Sequence, residues 1–274
     1  MKTPEIDPDR FFKIIDSSVQ GLKECRLIIS ALELGVFEAL KTPLSAGSLA
    51  EKLECDTTIM PHFCEALFSL GLLERFEAEK PRNESVNNDS MYMVSELSAT
   101  YLLENSPFSQ KHYLVQRLRN TELWDRLPQI VREGPEIFDK ELFFRGVVQS
   151  MAENALCGTL QETVRVVIEN VDFGRVKKLL DLGGGHGLYA IAFAKENESL
   201  QAFVFDLPPV TEKTKEFIKK YRVSNVNVIQ GDFFKDELGD KYDLIFSSFN
   251  PGGKVPSLIP KIARALNKGG IFVT

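Results

Sequence analysis

The segment Leu179–Lys195, with the sequence LLDLGGGHGLYAIAFAK, constrains the fold of this chain more than any other part. An apolar run reaches an aspartate, four glycines follow within five residues, and an apolar helical pattern begins directly afterwards. Glycine permits the positive φ angles of a tight turn, and without a Cβ it lets a flat ligand approach the backbone. The segment therefore predicts a buried strand, a ligand-binding turn and a helix. A plain surface turn is the alternative, and the buried strand that ends in a carboxylate disfavours it.

Two classes of cofactor fit the glycine spacing alone. The pattern Gly185-x-Gly187-x-x-Ala190 matches the dinucleotide fingerprint, and Asp206 follows about twenty residues after the turn, where a ribose-binding acid belongs. A nicotinamide-dependent oxidoreductase would also have to hold a pyrophosphate, and no basic residue lies close to the turn in sequence. The surrounding sequence shows a different pattern, because acids end three successive predicted strands: Asp181, Asp206 after QAFVF, and Asp232 after NVNVIQG.

From Arg175 onward, strand and helix patterns alternate. The sequence predicts strands that end at Asp181 and Asp206, strands over 226–230 and 242–247, and a last strand that begins at Gly270. Helices are predicted from Gly187, over 209–221 and over 255–267. Such alternation is typical of a parallel sheet with right-handed crossovers, in which the ligand lies at the carboxyl ends of the strands. The glycines and the three acids fall at those ends.

The three strand-end acids, together with VFDLPPV and GDFF, resemble the class I S-adenosylmethionine-dependent methyltransferases. Within that class, the chain is similar to the small-molecule O-methyltransferases that include acetylserotonin and caffeate-type enzymes. The resemblance implies an α/β fold with a mostly parallel Rossmann-like sheet, preceded by an all-α winged-helix dimerisation domain. It implies a dimerisation domain over 1–105, a helical linker over 106–170 that lines an acceptor pocket, and a cofactor-binding methyltransferase domain over 171–274.

The resemblance also implies S-adenosylmethionine as the cofactor, a small molecule as the methyl acceptor, and roles for single residues. The glycines of the turn would hold the methionine and ribose portion of the cofactor, and Asp181 would orient its amino-acid end. Asp206 would accept hydrogen bonds from both ribose hydroxyls, while Asp232 and Phe233 would contact the adenine. A strand-end or capping role is the alternative for each acid. The predicted cofactor-binding set is Asp181, Gly183, Gly185, Gly187, Asp206, Leu207, Asp232 and Phe233.

The general base of the resembled family is missing from its usual place. That family carries a His-Asp-Trp segment shortly after the fourth strand, whereas residues 247–260 read SSFNPGGKVPSLIP, without histidine, aspartate or glutamate. Methylation of a hydroxyl typically needs a base to take the proton. The catalytic residue is therefore unknown, and three interpretations stay open: a thiolate or amine acceptor, a base from elsewhere such as His112, or lost activity. His186 is expected to shape the turn, because a lone histidine needs partners to be a catalyst.

Large side chains recur through the helical pattern between residues 107 and 170. In the resembled family this region forms one wall of the acceptor pocket, which makes several of them candidate pocket residues. An ordinary core position is the alternative for each, because aromatic and methionine side chains at helical spacing commonly pack inside proteins. Together they predict an aromatic or apolar acceptor. The candidates are Phe108, His112, Trp124, Phe143, Phe144, Met151 and Asn154.

The N-terminal region combines amphipathic helices with a winged-helix pattern. Apolar residues recur every three or four positions from Asp7 to Leu40, and 35–104 predicts three helices followed by a two-stranded wing. Winged helices usually bind DNA, yet residues 45–105 carry four basic residues against eleven acids. The predicted recognition helix over 57–70 has no lysine or arginine, and phosphate binding needs several cations on one face. We therefore expect no nucleic-acid partner, and a winged-helix regulator that senses a nucleoside metabolite is the alternative function. In the resembled family this region is part of an intertwined dimer, so the resemblance implies a homodimer; a core position is the alternative for the apolar stripe.

Composition narrows the remaining possibilities. The net charge is −6, and the chain has neither an apolar run of membrane-spanning length nor a signal sequence, so a cytoplasmic protein without a membrane partner is expected. The four cysteines lack CxxC spacing, which argues against zinc and disulfides and predicts buried thiols without a metal site. The sequence stops inside the predicted fifth strand, while the resembled fold continues with two more strands and a helix. A shortened form of a longer protein is therefore expected.

Overall fold

The computed structural model describes residues 5–76, 90–119, 121–135, 140–249 and 255–274. The chain divides into two compact units, Met1–Trp124 and Asp125–Thr274. Parts of three predicted segments lie outside the described residues: the wing hairpin over 77–89, the helical pattern over 136–139, and 250–254 of the segment without a base. The predicted boundaries near residues 105 and 170 stay predictions.

The first unit begins with a long helix whose start the sequence specifies. The Asp7 carboxylate accepts a hydrogen bond from the Asp9 N–H at 2.9 Å, and Pro8 occupies the first helical position. The helix ends before Gly35, which has a left-handed φ of 76°. The helices of this unit are α1 (Pro8–Glu33), α2 (Val36–Ala39), α3 (Ala46–Lys52), α4 (Met60–Ser69), α5 (Glu96–Tyr101), α6 (Lys111–Arg119) and α7 (Glu122–Asp125), the last of which crosses the unit boundary.

A three-stranded antiparallel sheet completes this unit, where the sequence predicted two strands. Its strands are β1 (Leu44–Ser45), β2 (Leu73–Phe76) and β3 (Met91–Val94), in the order β1-β3-β2. The additional strand β1 is two residues long, which is too short to show an alternating pattern in sequence. The Glu65 carboxylate of α4 accepts hydrogen bonds from Arg75 of β2 and Tyr92 of β3, and the Arg75 guanidinium lies over the Phe68 ring. These contacts fix the sheet to α4.

The N-terminal half of α1 presents apolar side chains to solvent. A core position was the alternative for this stripe, and in the single chain that alternative is wrong. The first two aromatic rings of the stripe pack edge to face, with 5.6 Å between their centroids. The exposed members are Phe11, Phe12, Ile14, Ile15, Val19 and Leu22.

The second unit contains the parallel sheet that the sequence predicted. Its strands are β4 (Lys178–Leu182), β5 (Gln201–Asp206), β6 (Val226–Gln230), β7 (Tyr242–Phe246) and β8 (Leu266–Val273), all parallel in the order β6-β5-β4-β7-β8. Helices α8 (Leu127–Glu133), α9 (Lys140–Leu156), α10 (Thr159–Asn170), α11 (Leu188–Glu196), α12 (Pro208–Tyr221) and α13 (Ile259–Ala265) accompany it. The strand order reverses at β4, and open sheets of this type bind ligands outside the carboxyl ends at such a point.

The last helix and strand differ from their predicted bounds. The helix predicted over 255–267 is a short 3-10 turn, Pro256–Leu258, followed by α13. The last strand begins at Leu266 and not at Gly270, because Leu266 already pairs with Tyr242. The register then shifts, and Ile271 lies opposite Leu244.

The cysteines do not all occupy the buried positions that the sequence predicted. Cys64 is buried, and burial raises the pKa of its thiol to about 11. Cys55 is partly buried, whereas Cys25 and Cys157 are exposed. The prediction is wrong for the last two, because composition cannot tell which face of an amphipathic helix a small residue occupies.

None of the described helices combines the length and the apolar character needed to cross a bilayer.

Candidate active site

The turn between β4 and α11 requires its glycines for backbone geometry. Gly183, Gly185 and Gly187 have φ angles of 68°, 54° and 70°, in the left-handed region that other residues rarely adopt. The Gly183 N–H donates to the Phe205 carbonyl at 2.8 Å, which joins the turn to the end of β5. The predicted strand, turn and helix are confirmed.

The turn is tightly packed on its protein side and open on the other. A Cβ built on Gly184 would lie 2.5 Å from Asp181 Cγ, and one on Gly187 would lie 2.6 Å from Thr214 Cγ2. A Cβ on Gly185 would meet nothing within 4 Å. The backbone at Gly185 is therefore free to be approached by a ligand.

Asp206 holds the turn from the end of β5. Its Oδ2 accepts the Gly185 N–H at 2.8 Å, and its Oδ1 accepts the Leu207 N–H at 2.7 Å. Burial raises the pKa of Asp206, and the two backbone hydrogen bonds oppose that rise. Each carboxylate oxygen has a second lone pair, so the group can still accept two hydroxyl donors.

Asp181 lies buried beneath the turn, with 1% of its surface exposed. Its Oδ2 has no hydrogen-bond partner among the described residues. Burial raises the pKa of Asp181 to about 7, Asp206 adds to the rise, and the Ala190 N–H opposes it by a hydrogen bond. Such a carboxyl is expected to be half ionised near neutral pH.

His186 has the structural role that the sequence predicted. Its Nδ1 accepts the Leu188 N–H at 3.1 Å at the start of α11, and burial lowers the pKa of the imidazole to about 4. The ring is therefore neutral at pH 7.

Two residues that sequence reasoning missed also organise the site. The Thr214 hydroxyl of α12 donates to the Gly185 carbonyl at 2.6 Å. The Tyr189 side chain, two residues after the turn, lies beside Thr163 and Ser248, whose side chains oppose the rise that burial causes in the pKa of its phenol. Neither had a local signal, because their partners come from distant parts of the chain.

The third strand-end acid has the capping role that was kept as its alternative. After β6, Asp232 Oδ1 accepts the Phe234 N–H at 2.9 Å, and Oδ2 lies 3.1 Å from Lys235 Nζ. The Phe233 and Phe234 rings lie 4.7 Å apart. A role of Asp232 and Phe233 toward an adenine stays a prediction.

The predicted acceptor residues are all exposed, so the core alternative is wrong for them in the single chain. Phe108, His112 and Trp124 belong to the first unit, and Trp124 is 69% exposed. The other four lie on α9 of the second unit, where the Phe143 and Phe144 rings pack edge to face at 5.4 Å. These four are Phe143, Phe144, Met151 and Asn154.

A cavity of about 790 Å³ lies at the carboxyl ends of β7 and β8. Phe249, on its rim, has a left-handed φ of 55°, which is unusual for a bulky residue. Tyr189 lies between the glycine turn and this cavity, because its neighbours Thr163 and Ser248 both line the cavity. The lining residues are Glu162, Thr163, Val166, Val167, Phe246, Ser247, Ser248, Phe249, Val273 and Thr274.

These features define a doubly wound α/β domain with a turn at its strand reversal that suits a nucleoside cofactor. The donor set suits S-adenosylmethionine: Asp206 retains acceptor capacity for two hydroxyls, the Gly185 backbone is open, and Asp181 is a buried carboxyl against the turn backbone.

Comparisons with known proteins agree with this assignment. A model of the O-methyltransferase domain matches residues 132–273, and a model of the O-methyltransferase dimerisation domain matches residues 17–104. The chain therefore belongs to the O-methyltransferase family. It is an S-adenosylmethionine-dependent methyltransferase, and the resemblance inferred from the sequence is confirmed.

Individual relatives cover 94% to 100% of the chain. An uncharacterised protein of Methanocaldococcus jannaschii is 37% identical over 275 residues, which span 100% of this chain and 72% of that protein. The acetylserotonin O-methyltransferase of Bos taurus is 27% identical over 94% of this chain and 78% of its own length. The crystal structure of human N-acetylserotonin methyltransferase in complex with SAM has a TM-score of 0.76 and 24% identity, over 99% of this chain and 81% of that one. The fold is thus shared with structurally known methyltransferases.

Proposed function

We propose that this enzyme transfers a methyl group from S-adenosylmethionine to a small molecule with an aromatic or apolar body. The observation that carries the proposal is the cavity of about 790 Å³ joined through Tyr189 to the cofactor turn. Its volume is in the range of small-molecule sites, and Val166, Phe246 and Phe249 give it apolar walls. A cytoplasmic location stays a prediction from the sequence.

The cofactor would be held by the carboxyl ends of β4, β5 and β6. Asp206 would accept the ribose hydroxyls with its remaining lone pairs, since its other lone pairs already fix it to the backbone. The backbone of Gly183, Gly185 and Gly187 would contact the methionine and ribose portion. Asp232 and Phe233 would contact the adenine, and Leu207 completes the set.

S-adenosylmethionine, when bound, supplies a methyl group on a sulfonium, which is a carbon already activated for displacement. The protein then has to align the acceptor and exclude water, and alignment alone can supply much of the rate. Residues 247–260 contain no histidine, aspartate or glutamate. An acceptor that is already a strong nucleophile, a thiolate or an amine, fits this site without a base there. A hydroxyl acceptor would need a base from elsewhere, for which His112, exposed on α6, is the candidate.

Calorimetric titration with S-adenosylmethionine tests the cofactor site. Replacing Asp206 with alanine should weaken binding by about 1–3 kcal/mol, because hydrogen bonds to a charged group are lost. Asp243→Ala is a matched control, since Asp243 also accepts two backbone N–H groups, from Lys177 at 2.9 Å and Lys178 at 3.0 Å, near the other end of the sheet. If the two variants bind S-adenosylmethionine with equal affinity, Asp206 is not part of the cofactor site. Tight binding of NADH instead of S-adenosylmethionine would contradict the cofactor assignment.

We further propose a homodimer that buries the exposed stripe of α1. The chain carries an O-methyltransferase dimerisation domain over 17–104, and α1 overlaps it. Water-exposed apolar area of this kind is typical of a protein interface. A nucleic-acid partner is disfavoured, because Arg75 is engaged by Glu65 and the α4 helix has no lysine or arginine.

A further inference from the structure

Two carboxyl groups, Asp181 and Asp206, lie at the glycine turn between β4 and α11. Asp181 lies near the carboxyl end of β4, opposite Val204 of β5 and Phe246 of β7. Its carboxyl is almost wholly buried. A Cβ built on Gly184 would lie 2.6 Å from Asp181 Oδ2, so this oxygen lies directly against the turn backbone. The same oxygen has no hydrogen-bond partner in the described part of the chain. A buried acceptor without a partner is costly when it is charged.

The groups that face Asp181 favour a neutral carboxyl in the cofactor-free site. Strand β5 contributes the negative charge of Asp206, and strand β7 places the apolar Phe246 opposite. Helix α11 contributes the Ala190 N–H and Tyr189, whose phenol has a pKa raised by burial and so is neutral. The imidazole of His186, in the turn, is also neutral above pH 4 to 5, because burial lowers its pKa to about 4. Burial and a neighbouring carboxylate are the conditions that keep a carboxylic acid protonated.

We propose that Asp181 is partly protonated in the cofactor-free enzyme at neutral pH and releases this proton to solvent when S-adenosylmethionine binds. The proposal rests on the proposed cofactor site. S-adenosylmethionine carries a sulfonium and an ammonium against one carboxylate, so it brings a net positive charge to Asp206 and to the turn backbone behind which Asp181 lies. A nearby cation favours the ionised form of a carboxyl, and the proton leaves Asp181 as the charge arrives.

Because of this proton, Asp181 affects the binding of the cofactor S-adenosylmethionine and of its demethylated product S-adenosylhomocysteine differently. S-adenosylhomocysteine lacks the sulfonium and is neutral overall, so it should displace less of the proton. The preference of the site for S-adenosylmethionine over S-adenosylhomocysteine should therefore increase as the pH rises through the pKa of Asp181. Asp181 is a positioning residue in this account, because it lies behind the turn backbone.

Calorimetry in two buffers of different ionisation enthalpy measures the proton directly. With a pKa of about 7, half of the sites hold the proton at pH 7, so about half a proton should be released per cofactor bound. Affinity for S-adenosylmethionine should fall about fivefold between pH 7 and pH 6. The α-amino group of the cofactor titrates at about 7.7–8.0, so the difference between the wild type and Asp181→Asn is the quantity of interest.

Asp181→Asn should bind the cofactor without this proton release, because an amide has no proton to give. Asp243→Asn, which changes a carboxylate near the amino ends of the strands, should keep the wild-type release. Equal release by the wild type and Asp181→Asn would overturn the proposal. If Asp181→Asn does not fold, the wild type still decides, because equal proton release with S-adenosylmethionine and S-adenosylhomocysteine would also overturn it. Absence of any cofactor binding to the wild type would instead contradict the proposed function.

Discussion

Replacing Gly187 with alanine should destabilise the second unit more than the same change at Gly185. Both glycines have left-handed φ angles, 70° and 54°, so both variants carry a backbone cost of about 1–2 kcal/mol. Only at Gly187 does the new Cβ meet neighbours, at 2.6 Å from Thr214 Cγ2 and 3.3 Å from Val204 Cγ2. Thr214 is fully buried and its hydroxyl is bonded to Gly185, so it cannot move aside freely.

The expected difference follows from the cost of inserting a methyl group into a packed core, about 1–3 kcal/mol. Gly187→Ala should therefore cost about 2–5 kcal/mol in free energy of unfolding, against about 1–2 kcal/mol for Gly185→Ala. For a unit of this size the difference corresponds to roughly 2–12 °C in melting temperature.

Thermal unfolding followed by circular dichroism, without cofactor, measures both variants under one condition. Gly185→Ala serves as the matched control, because it shares the backbone strain and lacks the contact. Melting temperatures that agree within error would show that Thr214 and Val204 do not constrain Gly187, and the packing argument for this turn would be wrong. Titration of the folded Gly185→Ala protein should show weaker cofactor binding, because its new methyl group faces the open side of the turn.

Three further outcomes are expected. The double substitution Phe11→Asp and Ile15→Asp should convert the proposed dimer to a monomer, because two exposed apolar side chains of α1 become charged. Light scattering measures the mass, and an unchanged mass would contradict the proposed interface. Between pH 4 and 7 the raised pKa of Asp181 makes the folded state bind an extra proton and so lowers the free energy of unfolding as the pH rises, while the lowered pKa of His186 acts in the opposite direction. In urea titrations the free energy of unfolding of Asp181→Asn should therefore rise more steeply with pH than that of the wild type, and equal slopes would contradict the raised pKa of Asp181. Ser45→Ala should cost about 0.5–2 kcal/mol in first-unit stability, measured by denaturation, since the Ser45 hydroxyl caps α3; no loss would contradict that role.

The parallel sheet was predictable because its signals are local. Apolar runs that end in acids, and a glycine cluster between strand and helix, are properties of contiguous sequence. Strand β6 occupies the predicted residues 226–230. The start of β8 was not predictable, because Leu266 joins the sheet only through its pairing with Tyr242.

The fine structure of the site depends on contacts between distant residues. Thr214 reaches the Gly185 carbonyl across 29 positions of sequence, and Tyr189 joins α11 to Thr163 and Ser248. Helical spacing singled out the aromatic residues of the linker region as candidates for a pocket or a core, yet it could not show that Trp124 and its companions are exposed. Periodicity identifies a face of a helix, and only the packed structure shows what that face meets.

The contacts among Glu65, Arg75 and Tyr92 bear on whether the winged helix can bind a nucleic acid. A cation at the base of a wing would ordinarily be available to a duplex, but here the Arg75 guanidinium is paired at 2.9 Å with the helix beside it and lies over Phe68. This pairing leaves the Arg75 cation less available to a phosphate, which is consistent with the expectation that this domain has no nucleic-acid partner. The shape of such a domain alone would suggest that it binds DNA, whereas the pairing of its charged side chains does not.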